Sequence, residues 1–180
     1  MQFSAFLLTA VLSGAAVAKY NVKLYEHRWC LVTVGKECKN IDKGDCCHDN
    51  GKKYKSGKFE EVGSSETTDN LKLYADEDCG GLDIAQKAGG KCATADDKDV
   101  KGAKVFIVVP GGKRDEIEQS TRPAKRVVPD NVFMEDGRFR YVLARNTTEG
   151  EAYEKLRSLD EQIAHLRAFG TREAYEYKED

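Results

Sequence analysis

Lys19 to Tyr25 sets Tyr20, Val22 and Leu24 against Asn21, Lys23 and Tyr25, the period-two alternation of a half-buried β-strand. A short apolar run at Leu31–Val34, closed by Gly35, predicts a second strand. The stretch from Lys36 to Lys55 is rich in Lys, Asp, Gly and Asn and reads as a loop pinned by its cysteines. Lys58–Val62 predicts the returning strand, and the polar run GSSETTDN (63–70) a hinge. Further strands are predicted at Leu71–Tyr74, Leu82–Gln86 and Ala103–Val109. Gly80-Gly81 marks a place where the backbone turns tightly or takes positive φ, and Gly89-Gly90 marks a turn. From 111 to 130 apolar residues thin out among mixed charges and two prolines, which predicts a flexible linker. VFMEDGRFRYVLA (132–144) predicts a hairpin closed at Asp136-Gly137. Thr148 with Glu151 resembles a capping box, and Ala152, Leu156, Leu159, Ile163 and Leu166 form one apolar stripe along a single helix ended by Gly170. The acidic tail with Tyr175 and Tyr177 is expected to fray.

The pattern is written twice. VKLYEHRWC (22–30) returns as LKLYADEDC (71–79), Cys46-Cys47 answers Cys92, and SGKFEEV (56–62) answers GAKVFIV (102–108). Two copies of about 45 residues predict one β-domain made by duplication. The expected organisation is a leader at 1–18, a duplicated cysteine-rich β-domain at 19–110, the linker at 111–130, and a hairpin plus C-terminal helix at 131–180.

The leader, MQFSAFLLTAVLSGAAVA, joins an apolar run to Ala16-Val17-Ala18, the layout of a secretory signal peptide with an A-x-A cleavage site. Its n-region lacks the usual positive charge. Export predicts an extracellular chain beginning at Lys19, and the cysteines fit that compartment. All six (Cys30, Cys38, Cys46, Cys47, Cys79, Cys92) fall in the duplicated region, as a disulfide framework would. The repeat suggests Cys79 with Cys92, and Cys30 with Cys46 or Cys47. Neighbours on a strand point to opposite faces, so Cys46 and Cys47 should have different partners. A metal site at Cys46, Cys47 and His48 lacks the second ligand pair that structural zinc requires. No metal or other cofactor is expected.

Tyr74-x-x-x-x-Cys79-x-Gly81 resembles the aromatic-x₄-Phe-x-Gly signature of βγ-crystallin-type Greek-key motifs, with cysteine in place of phenylalanine. VKLYEHRWC resembles the same strand and corner, with Val32 where the glycine would stand. The resemblance covers about half the chain. It implies a mainly β fold, a two-motif Greek-key domain stabilised by disulfides, followed by the linker and a small α+β segment. Microbial members bind calcium just before the last strand of a motif. The matching positions here are Asp97-Lys98-Asp99-Val100-Lys101-Gly102 and Gly51-Lys52-Lys53-Tyr54-Lys55-Ser56. Calcium takes about six to eight oxygen ligands, and lysines at those places repel it. The resemblance implies a small secreted cysteine-rich protein of fungal type, since crystallin-like secreted domains include killer toxins and antimicrobial proteins.

Net charge is −2, with no basic excess of the kind that nucleic acid selects. Serine-hydrolase, P-loop and HExxH motifs are absent from the sequence. His27, His48 and His165 are scattered, and the Asp76-Glu77-Asp78 corner reads as solvated charge rather than paired catalytic carboxylates. No catalytic residue is assigned. Trp29 is the candidate binding aromatic. Lys36, Lys39, Lys52 and Lys53, with Lys43, Lys55 and Lys58, are expected to form a basic rim that attracts anionic walls or membranes. Lys113-Arg114 and Lys125-Arg126 fit a kexin-type processing protease, and Asn146-Thr147-Thr148 is a glycosylation sequon. The expectation is a secreted, non-enzymatic effector or toxin-like protein acting on a cell-wall polymer, membrane surface or host protein. Two alternatives stand beside it. One is a structural wall or matrix protein that self-associates through the C-terminal helix. The other is a precursor whose C-terminal part is a removable pro-segment.

Overall fold

A computed structural model of the chain describes residues 18–30, 34–64, 67–106 and 124–174. Residues 1–17 of the leader, Leu31–Thr33, Lys113-Arg114 and the tail beyond Ala174 lie outside the described residues. The first copy contributes β1 (Lys19–Tyr25), β2 (Val34–Asp42), β3 (Cys46–His48) and β4 (Ser56–Glu61). The second contributes β5 (Asn70–Tyr74), β6 (Asp83–Ala88), β7 (Ala93–Thr94) and β8 (Gly102–Phe106). After them come β9 (Arg126–Val127), β10 (Asn131–Glu135), β11 (Phe139–Ala144), α1 (Thr148–Tyr153), α2 (Leu159–Phe169) and β12 (Thr171–Ala174). The protein is mainly β, with two sheets, two helices and three disulfides among the described residues.

One sheet runs β12-β11-β10-β2-β1-β4-β7 and the other β6-β5-β8-β3-β9. Within them the two copies take the same arrangement: β2-β1-β4 in one sheet matches β6-β5-β8 in the other. Each copy sends its third strand across. β7 of the second copy pairs with β4, and β3 of the first pairs with β8. The alternation in β1 turns Tyr20, Val22 and Leu24 inward, where they join Phe59 and meet Leu71, Leu73, Ala103 and Val105. All eight are essentially sealed from water. Burying such side chains contributes about 1.5–3 kcal/mol for each large aliphatic or aromatic group.

The exchange of third strands corrects the expected cysteine pairing. Cys30 bonds to Cys92 and Cys46 to Cys79, so two of the three bridges join one copy to the other. The Cys79–Cys92 pair suggested by the repeat does not form, because Cys92 stands beside β7, which lies in the opposite sheet. Cys38 takes Cys47, and Cys46 and Cys47 do have different partners.

Several local expectations also change. The stretch 36–55 is not a loop: it holds most of β2 and all of β3. Its charged residues hid this, since Lys36 and Glu37 are buried in β2 and paired with opposite charges. Arg126–Val127, assigned to the linker, runs parallel to Cys46-Cys47 as β9. The hairpin of β10 and β11 turns at Asp136-Gly137, where Gly137 has φ of 87°. It does not form a segment apart, because β10 pairs with β2 from Asn131↔Glu37 to Met134↔Val34. The apolar stripe spans two helices rather than one. α1 is capped by Thr147, and the chain restarts at Ser158, whose capping box with Glu161 opens α2. Leu166 is buried against the hairpin's Leu143 and Met134, whereas Leu159 stays 38% exposed. Residues 171–174, just before the tail expected to fray, pair with β11. At the second corner positive φ falls on Cys79 rather than on Gly80 or Gly81.

Candidate interaction surface

The corner after β1 is built by Glu26 to Cys30. Trp29 takes φ of 69° and Cys30 φ of 49°, two successive left-handed residues without a glycine. Left-handed backbone costs a residue with a Cβ roughly 1–2 kcal/mol, so neighbouring contacts must hold the turn. Four do. The Cys30 N–H donates to Ser56 Oγ at 3.1 Å, and the Ser56 hydroxyl donates to the His27 carbonyl at 2.7 Å. The Trp29 N–H donates to Thr94 Oγ1 at 3.3 Å, and Cys30 is bonded to Cys92. Arg28 adds an ion pair to Asp97 at 3.5 Å.

The second copy offers an internal control. Cys79 occupies the place of Cys30 and has nearly the same φ, 51°. Asp78 occupies the place of Trp29 and does not take positive φ. The fold therefore requires one left-handed residue at this corner, and the first copy has two. The additional one carries an indole that is 63% exposed. Strain of this kind, beyond what the scaffold demands, concentrates at functional positions.

Ser56 and Gly102 stand at matching places in β4 and β8. A Cβ at Gly102 would come within 2.7 Å of the Asp76 carbonyl and 2.7 Å of Cys79 Sγ. Asp76 answers His27, whose carbonyl takes the Ser56 hydroxyl, so the second corner is drawn tight where the first is bridged by a side chain.

Each of the four lysines singled out as a basic rim, Lys36, Lys39, Lys52 and Lys53, has an acidic partner. Lys36 is buried and bonds Asp49 at 2.9 Å and Glu154 at 2.6 Å. Burial lowers the Lys36 pKa, although both carboxylates oppose the shift. Lys52 reaches Glu154 at 2.6 Å, and Lys39 lies 3.9 Å from Glu37. Lys53 and Lys55 grip the two oxygens of Asp99 at 2.8 and 2.6 Å. These two hydrogen bonds hold the Asp99 carboxyl down at about 2. Asp99 belongs to the stretch aligned with the calcium segment, and ammonium groups from the other copy occupy its carboxylate. Beside Trp29, the Arg28 guanidinium is matched by the Asp97 carboxylate.

The other singled-out residues disperse. His27 is exposed at the Trp29 corner. His48 is buried in β3, with Nδ1 3.4 Å from Arg126 Nη2, and burial and then that guanidinium lower its pKa. His165 Nε2 lies 2.8 Å from the Glu149 carbonyl and its ring packs 4.6 Å from Phe169. Asn146 is exposed just before the N-cap of α1. Lys125-Arg126 is fixed in place: the Lys125 carbonyl accepts from the Cys46 N–H at 2.9 Å, its N–H donates to Asp45 at 3.2 Å, and Arg126 pairs with Glu77 at 3.3 Å. Sequence reading missed Arg28, Ser56, Thr94 and Asp97 at the corner. Aligning SGK at 56 with GAK at 102 could have flagged Ser56, but nothing local marks Thr94, which arrives from the other copy.

No curated protein and no solved structure matches the chain significantly. A family model described as an N-terminal domain, ARB_05566_N, matches residues 21–130, which is more than half of the chain. That span takes in both copies, all six cysteines and the Trp29 corner. The chain belongs to the ARB_05566_N family, of which it carries the N-terminal domain.

Proposed function

We propose that this is a secreted, non-enzymatic binding protein that contacts its target through Trp29. The observation carrying the reading is the exposed indole on a left-handed backbone that the matching corner of the second copy does without. A rigid, exposed aromatic set beside a matched ion pair suits stacking on a pyranose face, so the favoured target is a neutral polysaccharide of a cell wall. Paired lysines weigh against attraction to an anionic membrane as the main force. Three disulfides are compatible with life outside the cell. Within each copy the fourth strand returns beside the first, which supports the crystallin-like Greek-key reading. An effector or toxin-like role follows from that likeness. Glycosylation at Asn146, whose side chain is exposed, belongs to the same proposal.

The test is cosedimentation of the full chain and of Trp29→Ala with insoluble chitin, β-glucan and whole walls. Retention of the parent and roughly tenfold weaker retention of the variant are expected. A parent chain that stays in the supernatant with every wall fraction removes the reading.

One observation favours the precursor alternative. No cysteine follows Cys92, so 124–174 is held to the cysteine-rich part by strand pairing and ion pairs such as Lys36–Glu154 and Arg145–Asp49. Cleavage after Lys113-Arg114 by a kexin-type protease would leave two pieces associated without a covalent link. Mass spectrometry of the secreted protein separates the intact from the two-piece form.

A further inference from the structure

Cys30–Cys92 and Cys46–Cys79 are counterparts. Each joins the corner of one copy to the other copy at its third strand, Cys46 within β3 and Cys92 just before β7. Their surroundings are not equivalent. Cys46 is 0% and Cys79 3% exposed, packed with Tyr74 and flanked by β9, and the Lys125 carbonyl just before β9 takes the Cys46 N–H. Cys38 and Cys47 are likewise sealed in the core. Cys30 and Cys92 are only half-buried, and Cys30 lies next to the most exposed aromatic side chain among the described residues.

We propose that Cys30–Cys92 is a thiol-exchange site whose opening releases the Trp29 corner. A thiol reductant supplies the chemistry. Its thiolate bonds to one sulfur of the pair, the Cys30–Cys92 bond breaks, and the departing cysteine thiolate takes a proton. A second thiol equivalent then resolves the mixed disulfide, leaving two cysteine thiols and one oxidised reductant. Access selects this bridge over its counterpart, since exchange requires a thiolate to reach sulfur. Once it opens, the two left-handed residues lose their covalent tie, and among the described residues the hydrogen bonds to Ser56 and Thr94, the Arg28–Asp97 pair and the packing of Cys30 against Tyr25, Phe133 and Val142 remain. The core and the other two bridges stay closed. The contact residue would thus be ordered in an oxidising medium and loosened in a thiol-rich one. The proposal deepens the binding role of Trp29, but its chemistry stands without a target.

The experiment is stepwise reduction of the folded full chain with glutathione or dithiothreitol. Thiols are trapped by differential alkylation and located by mass spectrometry, while emission from Trp29, the one tryptophan, is followed. Cys30 and Cys92 should become alkylated roughly tenfold faster than the other four. Acrylamide quenching of Trp29 should rise in step while far-ultraviolet circular dichroism stays constant. Comparable rates at all three bridges overturn the proposal, as does a Trp29 signal unmoved once Cys30 and Cys92 are free. Cys30→Ser with Cys92→Ser should reproduce the loosened signal without reductant. Should that variant not fold, stepwise reduction of the parent still decides. Neither readout uses a ligand, so a chain that binds no wall fraction and a bridge that resists exchange are separate failures.

Discussion

Tyr54 and Val100 exchange both backbone hydrogen bonds, each N–H donating to the other's carbonyl at 2.9 Å. They hold matching places in the two copies, two residues before β4 and two before β8. The reciprocal pair therefore lies on the approximate two-fold that relates the copies. Other contacts repeat across it. The Lys55 N–H donates to the Tyr25 carbonyl at 2.9 Å, and the Lys101 N–H donates to the Tyr74 carbonyl at 2.8 Å. Departures from this symmetry mark the features that distinguish the copies.

Gly102 is the first. Its missing side chain leaves room for Asp76 and Cys79, so Gly102→Ala should destabilise the fold by about 1–3 kcal/mol through overpacking. Ser56→Ala, at the matching place, should cost about 1–3 kcal/mol for the opposite reason, by leaving the Cys30 N–H and His27 carbonyl without their partner. Chemical denaturation of both variants checks this, and an unaffected Gly102→Ala would contradict the close approach at the second corner.

Trp29→Gly separates stability from binding. Glycine relieves the left-handed backbone but adds freedom to the unfolded chain, and the two effects are of similar size. Its stability should stay within about 1 kcal/mol of the parent, while retention on walls falls as for Trp29→Ala. Loss of both together would make Trp29 a folding residue.

Glu154 predicts an acid limb in stability. Burial raises its pKa, but hydrogen bonds from Lys36 and Lys52, with Arg145 adjacent, outweigh this and bring it down to about 2. A carboxyl lower in the folded than in the unfolded chain stabilises above its unfolded value of 4.5. That contribution is lost as pH falls from 4.5 toward 2. Glu154→Gln should flatten the fall in melting temperature across this window and leave Lys36 with Asp49 alone. A variant whose acid limb matches the parent's would place the titration elsewhere.

The seam between β2 and β10 is clamped by buried charge. Arg140 Nη2 meets Glu37 Oε1 at 2.7 Å, with Glu135 and Glu173 also in reach and Lys23 bridging Glu60 and Glu135. Arg140→Met should cost about 3–5 kcal/mol because Glu37 is left buried without its guanidinium. A chain ending at 110 should aggregate, since it exposes the hydrogen-bonding edge of β2. A soluble, monomeric 19–110 fragment in sedimentation would show that the C-terminal hairpin is dispensable.

β1, read from its alternation, and β4, β5, β6 and β8, read from short runs bounded by turn residues, were legible in the sequence. So was the turn at Asp136-Gly137. β2 was not, because pattern reading treats Lys36 and Glu37 as solvent-facing when long-range partners at 49, 140 and 154 bury them. The break between α1 and α2 was hidden by a stripe that continues in sequence across it. The cysteine pairing was missed for a topological reason. Repeats reveal which segments correspond but not which sheet each joins, and β3 and β7, three and two residues long, carry too little pattern to say. Trp29 was visible as a residue, but its left-handed backbone and its clamp from Thr94 and Asp97 were not.

Disulfide mapping of the non-reduced protein tests the exchange of third strands most directly. Proteolysis and mass spectrometry should return peptides joining Cys30 to Cys92, Cys46 to Cys79 and Cys38 to Cys47. A peptide joining Cys79 to Cys92 would mean that each copy closes on itself, and would contradict the frame on which the Trp29 corner rests.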